Sequence, residues 1–211
     1  MNLEQFRAKL GYHSLFLGVI ALAARASLAL TDHSTHDSIR AAEARDLQQS
    51  LAQVLPTGLA DNDLLKDTVA VKAAEGGEIL VYRARTKGEA KAAVFQFIGR
   101  GYAGEIRILM GVDTSGRVLG VRVLKHQETP GLGDKIEAAK GRWIFDFDGK
   151  SLGQPPIEKW AVKKDGGQFD QFAGATITPR GVVKAVKGGL EFFAAHRAEV
   201  FAPAMAVATK E

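Results

Sequence analysis

The sequence predicts an α+β protein: an N-terminal transmembrane helix, then a single domain with a mainly antiparallel sheet flanked by helices. Three patterns predict it. Leu10 to Leu30 is dominated by apolar and small residues. From Glu78 to Lys125, short β-rich runs alternate with Gly-containing turns. After Pro179, apolar residues recur at helical spacing.

At about 1.5 Å per residue, Leu10–Leu30 spans on the order of 30 Å, one bilayer core. Arg25 lies near its end, where a guanidinium can snorkel to the interface. Arg7 and Lys9 precede the segment, whereas Asp32 and Asp37 follow it. That asymmetry predicts a cytoplasmic N-terminus, residues 1–9, and an exported remainder. Three readings stand: a retained single-pass anchor, a cleaved signal peptide with Ala24-Arg25-Ala26 imitating a cleavage site, and a buried soluble helix.

Residues 31–58 are expected to be a connector followed by an amphipathic helix. Asp32 to His36 looks solvated, and its histidines, His33 and His36, are read as surface residues rather than metal ligands. Leu47, Leu51, Val54 and Leu55 then form a thin apolar stripe ended by Pro56. The main domain is expected over 59–201, with a frayed tail over 202–211.

Within that domain, Asp63 to Val69 reads as a turn leading into a strand. Glu78–Arg85 and Lys91–Ile98 read as a hairpin. Ile106–Val112 and Arg117–Lys125 form a second pair around the turn Asp113 to Gly116. In the last strand Val118, Gly120, Arg122 and Leu124 are expected on one face, and Leu119, Val121 and Val123 on the other. Asp134 to Lys140 looks helical, and Trp160 to Val162 looks like a last short strand. The Trp143-Ile144-Phe145 aromatics suit core packing or stacking on a cofactor. Val182, Val183, Val186, Leu190 and Phe193 mark the core face of a final helix, with Gly188-Gly189 inside it as a close contact or a kink.

Composition narrows the function classes. The 211 residues are 46% hydrophobic and 25% charged, the balance of a globular chain. The net charge of +4 is spread without a basic run, which argues against a nucleic-acid partner. The chain has no cysteine, so thiol catalysis, disulfides and thiolate metal sites are excluded. Gly149-Lys150-Ser151-Leu152-Gly153 matches Gly-Lys-Ser and Gly-x-Ser-x-Gly by letter, but Ile144 stands where a phosphate loop has its first glycine, and the stretch reads as a turn ahead of Pro155-Pro156 rather than a strand-to-helix elbow. After Gly131 and Gly133, the third glycine of a dinucleotide fingerprint is missing.

Two stretches carry the chemistry. The first is Asp170 to Gly181, Asp-Gln-Phe-Ala-Gly-Ala-Thr-Ile-Thr-Pro-Arg-Gly. Thr178 reads as an N-cap with Pro179 at the first helical position. The orphan N–H groups and positive dipole end of that helix would lie near Thr176, a place suited to a phosphate, with Arg180, Lys184 and Lys187 adding charge. A plain structural turn fits the spacing too. The second is His126 to Gly133, whose Thr-Pro-Gly-Leu-Gly run sets a tight turn where a backbone can approach something closely. His126 and Glu128 there can be read as an acid–base pair or as ordinary loop residues.

The first stretch resembles the flavinylation motif of the FMN-binding domain family, in which the last Thr carries FMN through a phosphoester bond. Members include the G subunit of Rnf-type electron transport complexes and the C subunit of sodium-pumping NADH:quinone reductases. The resemblance implies Thr176 as the attachment point, with Asp170, Gly174, Ala175 and Thr178 around the cofactor. Ala173 departs from it, standing where many members have Ser or Thr. The second stretch resembles the family's other recurrent motif, which implies that Glu128, Thr129, Gly131, Leu132 and Gly133 lie against the flavin. The short length and closely spaced motifs look most like the Rnf G subunit.

This resemblance implies a bacterial inner-membrane protein, periplasmic in its FMN domain, carrying covalent FMN. It also implies an electron relay in an ion-translocating ferredoxin/NAD oxidoreductase, without independent catalytic turnover. Other membrane subunits and a flavin transferase would be its partners. The C subunit of a quinone reductase, a non-redox membrane-anchored binding module, and a hydrolase built on His126 and Glu128 are the alternatives.

Overall fold

The computed structural model describes residues 10–73 and 76–202, in two compact units, Met1–Leu47 and Gln48–Glu211. The expected cytoplasmic N-terminus, 1–9, and nearly all of the expected C-terminal tail lie outside the described residues.

Helix α1 runs unbroken from Leu10 to Gln53. The expected connector at Asp32–His36 is therefore helical. The reason is local: from Thr31 to Gln53 the chain has neither glycine nor proline, so nothing halts propagation until Pro56 approaches. His13–Asp32 is long and apolar enough to cross a membrane, with mean hydropathy 1.8. Leu15, Phe16, Leu17, Val19, Ile20, Leu22, Leu28 and Leu30 are all exposed, as lipid-facing residues of an isolated span are.

The second unit is an antiparallel meander in the order β1-β2-β3-β4-β5: Thr68–Lys72, Glu78–Thr86, Glu89–Arg100, Glu105–Asp113 and Val118–Lys125. Helix α2, Ile177–Val200, packs on one face. Between β5 and α2 the chain is nearly all loops and 3₁₀ turns, at Gly133–Ile136, Trp143–Phe147, Ile157–Lys159 and Lys163–Asp165. The strand expected at Trp160–Val162 is absent; Val162 makes only an isolated bridge to Phe169. The helix expected at Asp134–Lys140 shrinks to its first 3₁₀ turn.

The sheet buries both faces. Val81, Phe95, Ile108, Met110 and Val121 join Val182, Val183, Val186, Leu190 and Phe193 in one core. Gly189 is what lets α2 approach: a Cβ there would lie 2.9 Å from Met110 Cε and 3.0 Å from the Phe97 ring. The helix continues through this glycine without a break. On the other face Ala84, Ala92, Val94 and Leu109 are buried together with Leu51 and Val54. Here Gly111 and Gly120 sit side by side in β4 and β5, and Cβ atoms on them would lie 2.6 and 2.9 Å from the Val54 backbone.

Strict alternation in β5 fails. Val112 pairs Val118 while Gly111 pairs Gly120, so Leu119 is an extra residue. Alternation alone puts Val118 on the opposite face from Val121 and Val123. The bulge instead returns it to the same core as both.

Candidate functional site

The two candidate loops meet at the N-terminal end of α2. Helix α2 begins at Ile177, so Thr176, not Thr178, holds the N-cap position, and Pro179 is the third helical residue. Proline still fits there, because no N–H in the first turn has an intrahelical acceptor. Thr176 has α-like dihedrals, φ −71° and ψ −27°, and its side chain makes no capping hydrogen bond. A half-buried threonine hydroxyl thus stands beside a helix N-terminus without serving that helix.

The loop before it is pinned from below. Trp143 Nε1 donates to the Asp170 carbonyl at 2.8 Å. The Phe172 ring meets Trp143 edge-on, with centroids 5.2 Å apart. Phe147, Trp160 and Phe169 complete this cluster, so the aromatics are core rather than surface. Ala175 N–H donates to the Phe172 carbonyl at 3.1 Å, closing a turn whose third residue, Gly174, has φ +79°. Asp170 itself is exposed, and its carboxylate pairs with Lys163 at 2.6 Å.

The second loop is a turn of the same kind. Leu132 N–H donates to the Thr129 carbonyl at 3.1 Å, with Pro130 second and Gly131, φ +77°, third. Thr129, Gly131 and Leu132 all face outward. Leu132 reaches the other loop, its Cδ2 lying 3.5 Å from where a Cβ on Gly174 would be.

Glu128 joins the pieces. Its side chain is buried, 5% exposed. Thr178 Oγ1, fully buried, donates to its Oε2. Ala103 N–H donates to its Oε1 at 3.0 Å. Gly133 leaves room for the carboxylate, since a Cβ there would lie 2.8 Å from Oε2. Glu128, Gly133 and Thr178 thus form the floor that holds three segments together, while Thr129, Gly131, Leu132, Gly174, Ala175 and Thr176 belong to the two turns built on it. The Gly101–Gly104 segment is part of this corner. In the sequence it reads only as the start of a strand, and its two glycines are the one available signal.

The basic residues are mostly engaged. Arg180 makes a two-pronged pair with Asp165, Nη2 to Oδ1 at 2.7 Å. That contact holds the Asp165 carboxyl below its usual value. Lys187 leans toward Glu191 at 3.9 Å. Helix N–H groups, more than side-chain cations, supply the positive end.

His126 and Glu128 do not form an acid–base pair. His126 Nδ1 accepts from the Glu128 backbone N–H at 3.0 Å, and its Nε2 lies 2.9 Å from Glu137. Lys140 and then His126 keep the Glu137 carboxyl below its ordinary range. The Glu128 carboxylate bonds instead to Thr178 and Ala103. No cluster of three metal-ligating side chains occurs among the described residues.

A family profile described as FMN-binding domain matches residues 101–191, which takes in both loops, the Gly101 segment and most of α2. The chain is 51% identical over 189 residues to the G subunit of the ion-translocating oxidoreductase complex of Stutzerimonas stutzeri, covering 90% of this chain and 83% of that one. The G subunit of the same complex in Pseudomonas aeruginosa is 46% identical over 196 residues, covering 90% and 92%. Among solved structures, Shewanella oneidensis NqrC aligns with TM-score 0.48 and 25% identity over 68% of this chain and 76% of that one. On the strength of the sequence relatives, this chain belongs to the family of G subunits of ion-translocating oxidoreductase complexes, and its second unit contains their FMN-binding domain.

Proposed function

We propose that this chain is a membrane-anchored flavoprotein subunit that carries FMN covalently, as a phosphoester on Thr176, and relays electrons within an ion-translocating oxidoreductase complex of the Rnf type. The observation that carries the reading is the Thr176 hydroxyl: it stands at a helix N-terminus, half-buried, and caps nothing. A threonine at that position ordinarily bonds an N–H of the first turn. Left uncommitted, the oxygen could take a phosphoryl group, whose negative charge the free N–H groups at the start of α2 would favour.

The residues present fit such a group. Gly174 and Gly131 bring the two loops round by positive φ, and Leu132 offers an apolar side chain at the same place. The aromatic cluster beneath Phe172 fixes the acceptor loop, and Glu128 fixes the other loop to α2. FMN, once bound, supplies the electron chemistry, and the protein supplies placement and local electrostatics. Loading forms one bond, from Thr176 Oγ1 to phosphorus. The hydroxyl proton departs, and the phosphoanhydride of an activated flavin nucleotide breaks. No redox change accompanies it. A separate flavin transferase performs this step, so no residue here turns over.

His13–Asp32 would anchor the domain, with the N-terminus cytoplasmic and the FMN domain periplasmic in a bacterial inner membrane. The charge asymmetry around the segment supports that direction. A tether suits a compartment where a dissociated cofactor would be lost. The other subunits of the complex would be its electron partners, and the names of the sequence relatives favour this reading over a quinone reductase C subunit.

The test is co-expression with a flavin transferase, followed by intact mass and in-gel fluorescence of the denatured protein. One FMN phosphoryl adduct is expected, absent in Thr176→Ala while the domain stays folded. An adduct that persists in Thr176→Ala refutes the tether. A phosphatase reporter fused after Glu211 is expected to be active; an inactive but well-expressed fusion reverses the orientation.

A further inference from the structure

Three large exposed side chains are borne by the segments that meet at this corner: Tyr102 at 73%, Ile177 at 48% and Leu132 at 42%. Ile177 follows the acceptor directly. Leu132 abuts Gly174. Tyr102 comes from a distant stretch, yet its backbone is fixed at the same corner. On one side of it the Arg100 carbonyl and Gly101 lie so close to Gly181 that a Cβ on that glycine would overlap the carbonyl oxygen. A Cβ on Gly101 would overlap Glu128 Oε1 in the same way. On the other side Ala103 N–H donates to Glu128. A mostly solvent-exposed aromatic ring is thus carried on a rigid turn, beside the loop pair that frames the acceptor threonine.

We propose that Tyr102 is the aromatic neighbour of the tethered isoalloxazine ring, with Leu132 and Ile177 completing an apolar seat. The inference rests on attachment at Thr176. A flat heteroaromatic ring gains from offset contact with another ring, and tyrosine gives that contact with few rotamers to freeze. The phenol keeps its hydroxyl toward water. The position also explains why an exposed ring is borne on a segment tied to Glu128: fixing Glu128 fixes both sides of the seat.

The test uses the full chain loaded by a flavin transferase, with loading verified by intact mass. Flavin emission per bound flavin and visible circular dichroism are compared for wild type, Tyr102→Phe and Tyr102→Ala. A phenol in contact quenches an excited flavin by lending an electron and recovering it; a phenyl ring does not. Emission per flavin is therefore expected to rise several-fold in both variants. The dichroism band, which reports a ring held in one orientation, is expected to persist in Tyr102→Phe and to weaken in Tyr102→Ala. A loaded chain whose emission and dichroism ignore both substitutions overturns the role of Tyr102 alone. A wild-type chain that shows no FMN mass after co-expression overturns the attachment, and the seat with it.

Discussion

Thr178 Oγ1 donates its hydrogen bond to Glu128 Oε2 across fifty positions of sequence, and both side chains are buried. This contact fastens the Thr129–Gly133 turn to the first turn of α2. A buried carboxylate that loses a donor bears the desolvation cost alone. Thr178→Val is expected to destabilise the domain by about 1–3 kcal/mol in urea unfolding, while Thr178→Ser retains most of the stability. Equal stability of the Val variant and wild type contradicts the role of this bond.

Gly181 is expected to tolerate nothing larger. A Cβ there would overlap the Arg100 carbonyl oxygen, which is backbone and cannot rotate away. Gly181→Ala should cost about 1–3 kcal/mol or more by forced displacement. Gly188→Ala is the control: nothing lies within 4 Å of that Cβ. It should be neutral or slightly stabilising, by up to about 1 kcal/mol, from helix propensity. Urea melts of the two variants separate the effect of space from that of propensity.

Trp143 is expected to govern the mobility of the acceptor loop. Trp143→Phe keeps a ring against Phe172 but removes the hydrogen bond to Asp170. The expected loss is about 1 kcal/mol of global stability. Amide exchange should quicken over residues 171–176 more than in the strands, and flavin loading should slow. Uniform exchange across the domain would deny any local anchoring.

Acid should loosen the far end of the sheet through Asp67. Burial raises its carboxyl, but hydrogen bonds from Arg85 and Arg83 outweigh that and hold it below 3.8. A lowered folded value means the contribution is complete above the unfolded value and disappears as pH falls through the folded one. Wild-type melting temperature should therefore drop between about pH 5 and about pH 2. Asp67→Asn should start lower, by about 3 kcal/mol, because Arg83 is 4% exposed and loses its carboxylate partner. Its acid drop should be shallower.

Gly174→Ala should load poorly. At φ +79° an L side chain costs about 1–2 kcal/mol, and the loop can relieve it only by moving Thr176. Initial loading rates against wild type measure this directly.

The strands and the core face of α2 are legible in the sequence because each signal is local. Period-two runs bounded by glycine turns define β2 to β5, and Val182 to Phe193 need only helical spacing. The bulge at Leu119 is not legible, since it is set by the pairing of Gly111 with Gly120 and the room they leave for Val54. Thr178 reads as a cap because Thr-Pro suits that role; a buried acceptor from another loop outweighs the local preference and draws it into the first turn. The motif residues can be found this way, but not their division of labour. Whether Glu128 faces a ligand or the protein interior depends on Ala103 and Thr178, each many residues away.

Two neighbouring glycines opposite Val54 have a larger effect than their size implies. By admitting main chain where side chains would stand, they turn a meander that would wet one side into the middle slab of a sandwich. Among the described residues, Leu80 and Ile98 are the large apolar side chains that the strands leave exposed. Visitors must come to the rim, and it is on the rim that Thr176 sits.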